Sequence, residues 1–498
     1  MAATVVSAAT GDDAHFPFFR TFFASVGALR LLVLALLLSL GIGSVVSIVP
    51  EVLSDRFART SHHYDGAPCS TFDDRSDIPV ECVQGGEDAQ RFAADANLIK
   101  NVLIFLFASI VGSMTDCRGR KVFLAFSFLL SSLAPIVLAL MQYFKTMNPT
   151  WYYAADCSNG LISGLTLMLT MLSDCLPPRF RAAGCGLFLA FFLSGFAMSQ
   201  VLAITLSHVG VSLASAFLLL CGCFFVLCFV PETLPEETMT RAIEKQSSEE
   251  GGLLQTIIRP ISELKILNRN NFFRLLAFVS FCSAFIYSSD QTLVVYYMEE
   301  HLAVHDETVA YMLGAMSLVG VLIQVFLLNR VIGVFGEKKT LILGFFFGTF
   351  HNVIYGIANS QQTIFAGLLL SEFTGLTYPV LIAMRSFNVG EEEQGHVQGA
   401  FFALASIANG LGPVCLQAIY DRTQNLPYPG PGSMFLFASV VYFTGTVVAC
   451  FLPADKANCN LQEEQETHGE EDEEADEIIL DGLESQREPL LGATERLE

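Results

Sequence analysis

Asp156, Asp290, His351 and Glu372 all fall inside long apolar runs of this 498-residue chain. A charge at the centre of such a run costs roughly 2.5–3.5 kcal/mol if the run crosses a bilayer, so each of these groups needs a partner or a task. Burial raises a carboxyl pKa, which lets a buried acid exchange a proton near neutral pH. Asp290 and Glu372 are therefore candidates for moving a proton or for binding a cationic solute. Ser283 and Tyr287 share a helical face with Asp290. Gly375 and Pro379 share one with Glu372, and Tyr378 stands beside it. A structural hydrogen bond to a neighbouring helix is the competing role for both carboxylates. His351 lies near the middle of another run, and a buried structural histidine is its competing reading.

A second pattern runs along one segment. Asp156, Asn159, Ser163, Thr166, Thr170 and Asp174 follow steps of three or four, which puts them on one face of a continuous helix. A polar stripe through a membrane faces protein or water rather than lipid. Asp156 has a cheaper alternative near the headgroups, because it is close to the end of its run. A third constellation fills a short polar gap. Gly112, Asp116, Gly119, Arg120 and Lys121 occupy fixed positions between two apolar runs. Glycines there permit close approach and a tight turn. An acid at a helix end gains from any helix N-terminus brought near it.

The elements that must hold these groups are apolar helices. Half the chain (52%) is hydrophobic and only 15% is charged, against roughly a quarter charged in soluble domains. Runs near 20 residues recur, each long enough to cross about 30 Å of hydrocarbon. Lipid leaves no alternative to internal hydrogen bonding, so these runs are expected to be helices. Twelve spans are expected, over 26–50, 92–113, 122–144, 151–175, 184–208, 210–230, 273–297, 309–329, 340–358, 363–386, 396–420 and 434–452. The first is too long for a signal-peptide core and reads as a spanning helix.

These spans divide the chain into a short N-terminus (1–25), a six-helix unit (26–230) holding an external loop (51–91), a charged connector (231–272), a second six-helix unit (273–453) and a tail (454–498). The net charge of −22 is concentrated in the tail, which carries 16 acidic and 3 basic residues and reads as a solvated, disordered arm. Arg118, Arg120, Lys121, Arg179, Arg181, Arg330, Lys338, Lys339 and Arg385 crowd alternate gaps, and the positive-inside rule places those gaps and both termini in the cytosol. Cys69 and Cys82 then face an oxidising space and are expected to form a disulfide. The halves echo each other. Gly119 matches Gly336 at an offset of 217 residues, and Pro231 matches Pro453 at 222. That spacing points to a duplicated six-helix unit, a plan that places a binding site at the midplane.

The gap at 112–121 resembles the loop between helices 2 and 3 of the major facilitator superfamily, G-x-x-x-D-x-x-G-[RK]-[RK], with Cys117 departing from the usual arginine. The end of span six at Pro231 and the Asn409, Gly410, Gly412 and Pro413 pattern of span eleven look like the hippocampus-abundant-transcript-like and tetracycline-resistance-like transporters. The paired-cysteine loop is similar to that of the proton-coupled folate transporter group. The resemblance implies an all-α membrane fold of two six-helix repeats, with spans one, four, seven and ten around a central cavity. It also implies that Asp116 meets the start of span eleven, around Gly395 to Gly399, and that Arg120 pairs with Asp174, holding the cytoplasmic side closed.

The expected function is secondary active transport of a small organic solute by alternating access, with proton symport. An uncoupled facilitator, an efflux carrier, and a non-transporting sensor or trafficking protein on the same scaffold are the alternatives. Span five lacks the glycine–proline pattern usual for the superfamily's antiporters. No nucleophile–base pair, metal motif or nucleotide motif stands out, so neither enzyme activity nor a cofactor is expected, and no nucleic-acid partner. The expected partners are the bilayer, the solute and protons. Leu490 and Leu491, after Glu488, resemble a dileucine sorting signal, although Gln486 stands where the acid belongs. A sorting adaptor at that pair, in a plasma or endolysosomal membrane, is the corresponding expectation.

Overall fold

The structure is a computed structural model, which describes residues 22, 25–72, 78–176, 178–234, 239–240, 243, 264–387 and 394–453. The tail, including Leu490 and Leu491, lies outside them, as do most of 1–25 and most of the connector. Ten helices are long and apolar enough to cross a membrane, and a bent pair over Val80–Ala108 and Ile110–Arg118 makes an eleventh. The position of span four is filled by two shorter helices, Thr150–Cys157 and Gly164–Cys175. This order accommodates the twelve crossings expected.

Each half builds its own apolar core. Leu31, Phe128, Met168, Phe188 and Leu219 are fully buried in the N-terminal half, and Phe273, Ile286, Phe345, Tyr355, Phe401 and Phe435 in the C-terminal half. A third cluster lies under the disulfide. Ile48, Leu53, Phe57, Leu138, Tyr153 and Val211 pack there with Tyr296 from span seven of the other half. The halves meet where span two lies on span eleven and span five on span eight.

The duplication extends to the backbone. Gly119 adopts φ 86°, ψ 159° and Gly336 adopts φ 73°, ψ 168°. Both conformations are in the region that only glycine reaches without strain. Each sits at the turn between the second and third helix of its half.

Three expectations need correction. The segment 51–91 is largely helical rather than a loop, with helices over Val49–Ser61 and from Val80 onward. Pro50 sits in the first turn, where its missing N–H costs nothing. Val49, Leu53 and Phe57 then recur at helical spacing and are buried against span two. Arg56, buried, donates to the carbonyls of Met141 and Lys145 at the end of span three. Span four is not one continuous helix either. It breaks at Ser158–Gly160, and Ser163 caps the next helix by accepting from Thr166 N. The polar stripe is thus split between two helices, with Asp156 and Asn159 on one side of Ser163 and Thr166, Thr170 and Asp174 on the other. Span ten breaks likewise. Its helices over Gln361–Ser371 and Thr377–Phe387 are joined by a 3₁₀ turn at Glu372–Leu376.

Candidate functional site

The breaks in spans four and ten carry the candidate residues, and they are related by the repeat. Asp156 and Glu372 stand 216 positions apart, within a residue of the Gly119–Gly336 offset. The turn after Asp156 presses on span two, where a Cβ added at Gly160 would meet the Lys100 carbonyl and the Leu103 side chain. The turn at Glu372 presses on span eight, with the Glu372 carboxylate over Gly320 and Gln324 Nε2 donating to Gly375 O at 3.1 Å. Span eight itself loosens to a π-turn over Ile323–Leu327 at that contact. Single π-turns are common at functional sites because they free backbone groups and re-aim side chains.

The two carboxylates differ in their partners. Lys100 Nζ lies 3.0 and 3.2 Å from the Asp156 oxygens, and Asn159 Nδ2 donates to Oδ1 at 3.3 Å. Asp156 is therefore neutralised. Lys100 went unremarked in the sequence, because one lysine scarcely lowers the mean hydropathy of a 20-residue run. The position matching Lys100 at the 217-residue offset is Ser317, whose hydroxyl is spent on Leu313 O. Among the described residues no hydrogen-bond donor reaches the Glu372 carboxylate. Tyr287 is its electrostatic neighbour, and Tyr378 is in turn a neighbour of Tyr287. Both side chains are exposed, at 56% and 64%.

Asp290 is paired, and its partner is His351. His351 Nε2 lies 3.0 Å from Asp290 Oδ2, and Asn352 Nδ2 lies 3.2 Å from the same oxygen. His351 Nδ1 lies 3.0 Å from Phe347 O, a pure acceptor, so the geometry assigns a hydrogen to Nδ1. If Nε2 and Oδ2 both lacked a proton, two lone pairs would face each other at 3.0 Å. A hydrogen on one of the two atoms relieves that contact, and Asn352 Nδ2 also lies 2.8 Å from His351 Nε2. His351 is 1% exposed and packs edge-on against Tyr355 and Tyr442, inside the C-terminal half. Span nine is thus less peripheral to the chemistry than its place in the fold suggests.

At the other end of the bundle, Arg120 pairs with Asp174 through Nη1 and reaches Asp116 Oδ1 at 3.4 Å through Nη2. Asp116 is 54% exposed. Its expected partner at the start of span eleven involves side chains at 395 and 396 that lie outside the described residues. Nothing approaches within 4 Å of a Cβ placed on Gly112. Glu232, which follows Pro231, belongs to no pattern in the sequence. Its carboxylate accepts from Arg120 N and Lys121 N, both at 3.0 Å, and so caps the start of span three. Thr233 Oγ1 donates to Asp174 Oδ2 at 3.1 Å, which ties the end of span six into the same cluster.

Polar contacts join the halves from the midplane to the disulfide end. Asn97 Nδ2 donates to Ser288 Oγ at 2.9 Å and to Asn409 O at 2.8 Å. Arg91 pairs with Asp421 at 3.2 Å, Tyr153 Oη meets Tyr296 Oη at 3.2 Å, and His208 meets Asp306 at 2.8 Å. Phe57 and Phe92 stack beside Tyr153. The Cys69–Cys82 disulfide is formed.

The family model "Major Facilitator Superfamily" matches residues 98–301 and 291–488. The chain belongs to the major facilitator superfamily. It is therefore a multi-pass membrane protein of a transporter family, and nothing in that membership points to an enzyme. It is 25% identical to human hippocampus abundant transcript 1 protein over 393 residues, covering 73% of this chain and 77% of that one. It is 24% identical to the class C tetracycline resistance protein of Escherichia coli over 325 residues, covering 64% and 76%. Among solved structures, the human organic anion transporter MFSD10 superposes with a TM-score of 0.63 at 19% identity, over 85% of this chain and 99% of that chain. At that identity the likeness concerns the fold.

Proposed function

We propose that this superfamily member is a secondary active transporter that carries a small organic solute through a central cavity and couples it to protons, most simply by symport. The observation that carries the reading is the Glu372 carboxylate, unpaired at the break of span ten while its repeat partner Asp156 is neutralised by Lys100. A carboxyl without a partner in a low-dielectric site is stable when protonated and costly when ionised. It gains from a proton or from a cationic group of the solute. Tyr287 and Tyr378 would present hydroxyls to the same solute, and Asp290 with His351 would hold a second proton.

The contacts from midplane to disulfide end represent one closed gate, and exposed Asp116 represents an open opposite side. With the basic gaps in the cytosol, this is a state open to the cytosol. In the opposite state Asp116 would meet the start of span eleven and close that side, held in place by Arg120, Asp174 and Glu232, which are already joined within the N-terminal half, with Gly112, Gly119 and Lys121 shaping the turn. Transport itself is tested in proteoliposomes. A solute that raises the melting temperature of the purified protein in a metabolite screen should show saturable uptake and counterflow. Stabilisation by such solutes without any flux would favour the sensor reading instead.

A further inference from the structure

Glu51, His208 and Asp306 converge outside the membrane core at the disulfide end, and they come from both halves of the molecule. Glu51 lies on the helix after span one, His208 opens span six, and Asp306 opens span eight. His208 Nε2 is 2.8 Å from Asp306 Oδ2 and 4.0 Å from Glu51 Oε1. One donor atom from each residue lies within 4.8 Å of the other two. The Glu51 and Asp306 carboxyls are also within hydrogen-bond reach of each other, an arrangement that needs a proton or a cation between them.

A fourth group points to the same place independently. Glu299, near the end of span seven, is enclosed by protein, and its Oε1 is sealed from water with no hydrogen-bond partner. Its electrostatic neighbours are Glu51 and Asp306. Two carboxylates thus flank the imidazole, and a third acts on both of them. Among the groups acting most strongly on Glu51, His208 is the one that can carry positive charge. Ser70, between the two disulfide cysteines, hydrogen-bonds Glu51 and fixes its direction, as outer-shell groups do for metal ligands. His305 flanks Asp306 and lines, with Glu51, Ser70 and Glu299, a cavity of about 80 Å³ beside the cluster.

We propose that Glu51, His208, Asp306 and Glu299 form a site for a divalent transition-metal ion, with zinc as the best-matched member of that class. One imidazole and carboxylate oxygens suit a borderline divalent ion better than calcium or magnesium, which prefer oxygen alone. A tetrahedron with bonds of about 2.1 Å separates its donors by about 3.4 Å. The observed separations of 2.8 and 4.0 Å fall on either side of that value. The ligands span both halves, so the ion would hold the disulfide end closed and would bind poorly once that end opens.

The test uses the purified full-length protein, stripped with a chelator and titrated with zinc chloride alone. Equilibrium dialysis with metal quantification should give one saturable zinc per chain. X-ray absorption of the loaded wild type should show imidazole and oxygen ligands without sulfur. His208→Ala should weaken binding at least about tenfold, and Glu299→Gln should weaken it less. Elution volume and the melting temperature without metal check each variant's fold. If His208→Ala does not fold, Asp306→Asn takes its place, and the spectrum of the wild type stands without either variant. No saturable zinc on the wild type, a sulfur-ligated spectrum, or folded variants that bind like the wild type would each overturn the proposal.

Discussion

Glu372 and Asp156 hold matching positions in the two halves, and their difference comes down to one lysine. Lys100 gives Asp156 a counter-ion at 3.0 Å, and Ser317 gives Glu372 none. Breaking a partly buried charge pair strands the surviving charge, which costs more than the pair contributes. Lys100→Met should therefore destabilise the protein by about 1–3 kcal/mol. Adding Asp156→Asn should recover much of that loss. The check is a double-mutant cycle on unfolding in detergent. Additive losses in the two single variants would show that the pair is not coupled. The sequence shows each of these residues but not their pairings. Asp290 and His351 are 61 residues apart and on different helices, and only the packing of span seven against span nine brings their side chains to 3.0 Å.

At the scale of elements, the spans were legible and their interruptions were not. Apolar length and charge spacing locate the crossings because lipid imposes one requirement on all of them. The polar residues at the break of span four, Ser158 and Asn159, read equally well as part of a continuous polar face, and the break of span ten at Glu372–Leu376 keeps apolar residues on either side of its acid. The glycines at 160 and 375 were the available signal, and glycine is frequent in spanning helices anyway. The helix after Pro50 was legible in principle, because Val49, Leu53 and Phe57 repeat every four residues. The charged residues around it favoured a loop. Glu232 stayed hidden because its work is done on backbone N–H groups 111 and 112 residues away. Glu232→Ala should cost about 0.5–2 kcal/mol by uncapping span three. Gly119→Ala should cost about 1–2 kcal/mol from its positive φ, with the new Cβ also 2.5 Å from Glu232 Oε2. Melting temperatures in detergent check both, and unchanged values would remove Glu232 and Gly119 from the structural account of this turn.

For the whole molecule, alternating access requires that the contacts between halves exchange sides. Asn97 bridges spans seven and eleven at the midplane, and Arg91 ties span two to span eleven above it. Asn97→Ala removes about one hydrogen bond's net contribution from the state closed at the disulfide end, about 1 kcal/mol. The population open at that end should rise about fivefold. A single cysteine at Ser288, on a background without the exposed native thiols, should then label faster from the disulfide side. An unchanged rate would mean that Asn97 does not hold that end shut.

The most direct test of proton coupling is uptake of a stabilising solute into proteoliposomes, with and without an inward proton gradient, by wild type and Glu372→Gln. Glutamine keeps the size and most hydrogen bonds of glutamate but cannot release a proton. The wild type should accumulate solute when the gradient is imposed. Glu372→Gln should lose that response while still exchanging solute across the membrane. A Glu372→Gln protein that accumulates solute with the gradient as the wild type does would contradict the assignment of coupling to Glu372.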